Sequence, residues 1–335
     1  MTTFSLLVLV VVAALAFDFI NGFHDTANAI ATVVSTGVLR ARTAVLMAAA
    51  LNIIGAFLGT AVASTIGKDI LDPTMVTQGI VLAGLLGAIA WNLLTWYFGL
   101  PSSSSHALIG GLVGAGITAL GFGSIKPEGL EKVVVALVVS PILGFAMAFL
   151  GMVALNWILR RVRPAKINAA ARRVQLVSAG FMALSHGTND AQKSMGVITM
   201  ALVSYAGTYD PTVKFPVPTW VIVACALAMG MGTAAGGWRI IHTMGQKIFK
   251  LRPIHGSVAE TASALVIQIA SHMALPVSTT HCITASIMGA GATTRLSAVS
   301  WGVTRRIIMA WVLTIPASAL VAGLCYLALR FGGMG

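Results

Sequence analysis

The sequence predicts an all-α polytopic membrane protein. It reads as an inverted repeat of about five hydrophobic segments per half, with broken or re-entrant helices. Three observations predict this. Of 335 residues, 57% are hydrophobic and only 9% are charged, against about 25% charged in an ordinary soluble domain. Nearly all of the length lies in apolar stretches that reach the roughly 20 residues a helix needs to cross a bilayer. Two polar motifs, each set in such a stretch, occur twice.

Ten hydrophobic segments can be drawn, at about 4–36, 43–66, 74–99, 103–121, 132–159, 174–206, 218–238, 256–275, 279–293 and 307–330. The first and sixth exceed one straight crossing and carry internal polar residues. The fourth and ninth are short and open on hydroxyl residues. These four are the expected broken helices or re-entrant hairpins, giving ten to twelve spans. Thirty-five glycines suit a bundle whose helices approach closely. Cys225, Cys282 and Cys325 show no metal or disulfide spacing. The N-terminal apolar stretch lacks a basic leader, so no cleaved signal peptide is expected.

The net charge of +12 does not indicate nucleic acid, because the basic residues fill short loops rather than a stripe on a nucleic-acid-binding fold. Arg40 and Arg42 follow segment one. Arg160, Arg161, Arg163, Lys166, Arg172 and Arg173 lie around the central loop. Arg239, Lys247, Lys250 and Arg252 follow segment seven, and Arg295, Arg305 and Arg306 follow segment nine. Threading the segments from an outside start at Met1 places every strongly basic loop on one side, as the positive-inside rule requires. Lys68, Asp69, Asp72, Asp210 and Lys214 then fall on the other side, with both termini.

Gly22-Phe23-His24-Asp25-Thr26 answers to Gly187-Thr188-Asn189-Asp190-Ala191 at an offset of 165. Leu100-Pro101-Ser102-Ser103-Ser104-Ser105-His106 answers to Leu275-Pro276-Val277-Ser278-Thr279-Thr280-His281 at an offset of 175. The second register continues through Gly114-Ala115-Gly116 on Gly289-Ala290-Gly291 and Pro141 on Pro316. Residues 1–165 and 166–335 are the expected repeats. With an odd number of segments in each, the second copy is inserted upside down, as in secondary transporters.

On a helix, Asp18, Asn21, Asp25, Asn28 and Thr32 form one polar stripe. A charged group at membrane depth costs roughly 2.5–3.5 kcal/mol on insertion scales, so such residues face a bundle interior or a watery cavity and mark ion pathways. Asp190 and Lys193, one turn apart, make the matching pair. The Ser102–Ser105 and Ser278–Thr280 runs follow a proline and open a helix. Hydroxyls and free N–H groups at a helix N-terminus make an anion site, although Ser and Thr are also ordinary caps. His24 and His186 flank the acids. His106 and His281 close the hydroxyl runs, and Glu260 lies in an apolar segment beside Thr261 and Ser263.

Asn21-Gly22-Phe23-His24-Asp25-Thr26-Ala27-Asn28-Ala29 and His186-Gly187-Thr188-Asn189-Asp190 resemble the paired Gly-Ala-Asn-Asp-type motifs of the PiT inorganic phosphate transporter family. Pro276-Val277-Ser278-Thr279-Thr280-His281 is also similar to that family. The resemblance spans nearly the whole chain. It implies import of inorganic phosphate with a cation, by a homodimer in a bacterial inner membrane, as in the low-affinity permease branch. By matched position, Asn28 and Asn189 would lie beside substrate, and Ser103, Ser104, Ser105, Ser278, Thr279 and Thr280 would contact phosphate. Asp25 and Asp190 would take the coupling ion, with His24, His186, Lys193 and Glu260 near its path.

Three departures bear on the ion. Sodium-coupled members carry Asn-Asp where this chain has His24-Asp25, an acid near Asn52, and a small polar residue at Lys193. The changes resemble bacterial members coupled to protons, some of which carry neutral metal–phosphate. The expectation is therefore proton symport by alternating access without a cofactor, with sodium at Asp25 and Asp190 as the alternative. A short bacterial branch of the family moves sulfate, which keeps a sulfate transporter open, and an anion channel is a further alternative. No nucleophile–base constellation or metal motif suggests an enzyme.

Overall fold

The computed structural model describes residues 3–210 and 215–334; Lys214 lies outside them. Among the described residues twelve α-helices run in the order α1 (Thr3–Ser35), α2 (Ala41–Ala56), α3 (Ala61–Lys68), α4 (Gln78–Tyr97), α5 (Ser104–Leu120), α6 (Pro127–Ile158), α7 (Pro164–Ala206), α8 (Thr219–Ala235), α9 (Trp238–His242), α10 (Pro253–His272), α11 (Thr279–Ala292) and α12 (Trp301–Phe331). A π-helical turn, Thr243–Lys247, extends α9. The all-α expectation holds. Helices α1, α4, α6 and α12 are each long and apolar enough to cross a membrane, and the bent pairs α2–α3 and α8–α9 are so when each is taken as one span.

The usual distribution of side chains is reversed. Ile142, Val312 and Leu320 lie exposed on α6 and α12, while Asp18, Asp25, Asp190, Lys193 and Glu260 are buried. Hydrocarbon outside and charge inside is what a lipid solvent selects.

The chain breaks where glycine and a remote side chain permit it, and not at the polar stripes. Contrary to expectation, α1 and α7 are unbroken helices of 33 and 43 residues. Many of their polar groups bond within the helix or across the bundle, and the backbone ladder runs on undisturbed. Thr26 Oγ1 donates to the Gly22 carbonyl at 2.7 Å, and Thr188 Oγ1 to that of Leu184 at 2.8 Å. The breaks fall in segments two and seven, with bends of 72° between α2 and α3 and 60° between α8 and α9. Freed N–H groups inside a membrane must find acceptors. Gln192 Oε1 takes those of Val62 and Ala63, at 2.8 and 3.3 Å.

The fourth and ninth segments do belong to hairpins. Helix α4 starts beside the α3–α4 loop, and α5 ends beside the same loop, where Leu71 bridges Ile125. The α10–α11 pair likewise starts and ends at one face, because Arg252 and Arg295 line one cleft. The two hairpins enter from opposite faces and their tips meet. Ser105 Oγ donates to the Val277 carbonyl at 3.1 Å, and the His106 and His281 rings stack at 4.5 Å.

Each hairpin leans on the long helix of the other half, α5 on α12 and α11 on α6. Absent side chains allow this approach. A methyl group on Gly114 would lie 2.3 Å from the Ala319 carbonyl, and one on Gly289 2.3 Å from that of Phe145. Helices α1 and α7 cross at the centre. Gly22 seats α1 on Met229 of α8, and Gly187 seats α7 on Asn52 of α2.

Thr3, Thr74, Ser204 and Gly333 gather at one face, and Arg160, Lys250, Arg252 and Arg295 at the other.

Candidate functional site

The helix crossing brings Asp25 and Asp190 to either side of one imidazole. His186 Nε2 lies 4.0 Å from Asp25 Oδ2 and 3.5 Å from Asp190 Oδ2. These three ligand atoms lie within 4.8 Å of one another, close enough to share a cation. The ring is oriented from behind by Asn52, whose Oδ1 is 3.1 Å from His186 Nδ1. Asn52 is fixed in turn by donating to Thr233 Oγ1 at 2.8 Å.

Asp25 has a second partner. His24 Nδ1 lies 2.7 Å from Asp25 Oδ1, and its Nε2 lies 3.2 Å from Thr95 Oγ1 and 3.4 Å from Ser102 Oγ. Ser102 donates to Thr95 at 2.7 Å. A chain of polar groups thus joins Asp25 to the first residue of the α5 hydroxyl run.

Asp190 is held differently. Lys193 Nζ donates to Asp190 Oδ1 at 2.5 Å, to Ser105 Oγ at 2.5 Å and to the Val277 carbonyl at 3.2 Å, which uses all three of its protons. Thr279 Oγ1 donates to Asp190 Oδ2 at 3.2 Å. Asn28 Nδ2 reaches Thr280 Oγ1 at 2.9 Å and Thr279 Oγ1 at 3.3 Å. Asn189 Nδ2 donates to Ser271 Oγ at 2.9 Å and to the Leu275 carbonyl at 3.4 Å, at the turn between α10 and α11 and not at the Ser/Thr helix start.

The hydroxyl runs divide their labour. Ser103 and Ser278 are caps, accepting from the His106 and His281 backbone N–H at 3.1 and 3.2 Å. Ser105, Thr279 and Thr280 join the buried network, and Ser104 Oγ has no hydrogen-bond partner. Behind the tips, Trp311 stacks on His281 at 4.0 Å and donates to the Pro101 carbonyl at 2.9 Å.

Glu260 is not part of this cluster. Thr32 donates to its Oε1 at 2.5 Å and Gln175 at 3.2 Å, while Ser178 takes Oε2. It is tied to both helices that carry the cluster, to α1 through Thr32, one turn beyond Asn28, and to α7 through Gln175 and Ser178. Asp18 is buried beside Ser194 and Cys225. Thr95, Thr233, Gln175 and Ser178 carry the supporting bonds without having drawn attention in the sequence. None of them belongs to a repeated motif, and of the groups in these networks only Thr32, already in the α1 stripe, gave any spacing signal.

A helical bundle with an apolar exterior, in which Asp25, Asp190 and Lys193 are buried where two opposed hairpin tips meet, defines a multi-pass membrane transport protein and not an enzyme. The chain belongs to the phosphate transporter family, whose pattern it matches over residues 21–322. It is 50% identical over 327 residues to a probable low-affinity inorganic phosphate transporter of Bacillus subtilis, covering 97% of both chains. It is 51% identical to a protein of the same description from Rhizobium meliloti, again over 97% of each. A putative phosphate permease of Pyrococcus furiosus is 29% identical, over 97% of this chain and 96% of its own. Among solved structures, one titled the sodium-dependent phosphate transporter superposes with a TM-score of 0.89, covering 98% of this chain and 99% of its own at 22% identity, a likeness of fold. The family read from the repeated motifs is therefore the right one.

Proposed function

We propose that this protein imports inorganic phosphate by cation symport, with the proton as the favoured ion, through alternating access of two inverted repeats. The observation that carries the reading is the meeting of the two hairpin tips. The helix starts at Ser104 and Thr279 converge beside Asp25, His186 and Asp190. Two helix N-termini offer N–H groups, hydroxyls and partial positive charge to one tetrahedral oxyanion. Lys193 adds a full positive charge. The buried acids supply the cation-dependent half of the cycle: an uncompensated carboxylate beside the anion repels it, and a bound cation removes the repulsion.

Lys193 favours the proton. Its ammonium is ringed by a carboxylate, a hydroxyl and a backbone carbonyl, all hard oxygen donors of the kind that hold an alkali cation. We read it as a tethered cation that fills the second repeat's ion place permanently. The exchangeable ion's place is then Asp25 with His24 and His186, and imidazole is a proton acceptor and a poor sodium ligand. The repeats are 1–165 and 166–335, the protein is a homodimer in a bacterial plasma membrane, and both termini face outward with the basic face in the cytoplasm.

The test is uptake of labelled phosphate into proteoliposomes whose pH and sodium gradients are set independently. A pH gradient alone should drive accumulation. Strict dependence on sodium refutes proton coupling, and preferential competition by sulfate refutes the assignment of phosphate.

A further inference from the structure

The architecture leaves a cleft at each face. At the face opposite the basic loops it is formed by the starts of α1 and α4 and the residues after α12, with Thr3, Gln78 and Gly333 in its walls and a volume of about 700 Å³. At the basic face it is formed by the end of α6 and the starts of α7 and α10, with a volume of about 820 Å³. The second cleft is the counterpart of the first, but its chemistry differs. Arg160, Lys250, Arg252 and Arg295 line it, and no acidic residue does. Among the described residues none of the four makes an ion pair.

Topology alone does not account for this convergence. Arg161, Arg163, Lys166, Arg172 and Arg173 already mark the face as basic, and none of them lines the cleft. The floor is apolar, with Met152, Leu159, Phe249 and Ile254 beneath the charges. Trp157, 67% exposed next to the cleft, has Arg160 over its ring at 5.1 Å. An exposed tryptophan at a helix end marks the headgroup level of a bilayer. Cationic rim, apolar floor and interfacial depth together describe a receptor for a phosphodiester that carries hydrocarbon.

We infer that the basic cleft between α6, α7, α10 and the turn after α11 binds the headgroup of an anionic phospholipid. Arg160, Arg252, Arg295 and Lys250 face the phosphodiester, and the apolar floor takes the upper acyl chains. The site is separate from the transport site, since none of its lining residues belongs to the Asp25–Asp190 cluster. Its occupant bridges α6 of one half to α10 and α11 of the other and steadies the hairpin that carries Thr279.

The experiment is titration of the delipidated protein, in uncharged detergent, with phosphatidylglycerol or phosphatidylcholine, reading bound lipid by native mass spectrometry. Phosphatidylglycerol should be retained and phosphatidylcholine should not. Each of Arg160→Gln, Arg252→Gln and Arg295→Gln should weaken retention about fivefold, and the three together about a hundredfold, at the usual worth of one basic residue near an anionic headgroup. All three side chains are exposed, so the variants should remain monodisperse on gel filtration. Arg40→Gln with Arg42→Gln, on the same face outside the cleft, should change nothing. Equal retention of both lipids, an unaffected triple variant, an equal loss in the Arg40/Arg42 control, or displacement of lipid by millimolar inorganic phosphate would each overturn the proposal.

Discussion

Asn28 and Lys193 stand at matched places on α1 and α7, and each donates to a hydroxyl on the hairpin tip of the opposite half. Asn28 reaches Thr280 at 2.9 Å and Lys193 reaches Ser105 at 2.5 Å. The geometry is repeated while the charge is not. A neutral amide does in one copy what an ammonium does in the other. The first copy is thereby left with an acid, Asp25, whose near partners are histidines.

Lys193→Met should be severely destabilising. It leaves Asp190 as a buried charge without its cation, which typically costs about 3–5 kcal/mol. Adding Asp190→Asn should restore most of the loss, because a neutral amide needs no counter-charge. Thermal melting in detergent measures both. Equal melting points for the single and double variants would show that the pair is not coupled.

Asp25→Asn keeps the shape of the side chain and an acceptor for His24, so gel filtration and melting should change little. Uptake of phosphate should nevertheless be abolished, since the carboxylate that takes the coupling cation is gone. Near-normal uptake by this variant would remove Asp25 from the mechanism.

Ser103 and Ser104 should separate stability from affinity. Ser103→Ala loses a helix cap, worth about 1 kcal/mol. Ser104→Ala loses no hydrogen bond within the protein and should melt normally. If its hydroxyl serves the anion, KM for phosphate should rise about 10- to 100-fold, the equivalent of a hydrogen bond to a charged group at about 1.5–3 kcal/mol. An unchanged KM would take Ser104 out of the binding site.

The two hairpins turn through left-handed residues at the same register, Gly99 with φ of 64° and Ala274 with φ of 59°. An L side chain there costs roughly 1–2 kcal/mol. Ala274→Gly should therefore raise the melting temperature and Gly99→Ala should lower it, with uptake driven by the same gradient in both. A lowered melting temperature for Ala274→Gly would contradict the assignment of strain.

How much of this was legible depended on whether a residue had a repeated partner. Asp25 and Asp190, the hydroxyl runs and Lys193 were visible because two registers set them side by side. Thr95, Gln175 and Ser178 were not, because a polar residue outside a repeated motif acquires meaning only from a partner far along the chain; His24 and Thr95 are 71 residues apart. The breaks were misplaced for a related reason. Polar residues inside α1 and α7 looked like interruptions, yet they bond across the bundle and leave the helices whole. The bend after Ala56 depends on Gln192, about 130 residues away. Glu260 was visible as an unusual acid, but its three donors, which place it apart from the other acids, were not.

The exchange of hairpins between halves has a consequence for how the molecule is made. Helix α5 is clamped by α12 through Gly110 and Gly114, which fit against Ile315 and Ala319 near the end of the chain. While α12 is still inside the ribosome, the first hydroxyl run has helix ends, caps and its neighbour α4, but not the long helix that packs on the other side of α5. Neither half, synthesised alone, owns the long helix that its own hairpin leans on. Biogenesis must therefore hold a half-made chain in the bilayer with its buried acids still in want of neighbours, until α12 emerges and takes its place against α5.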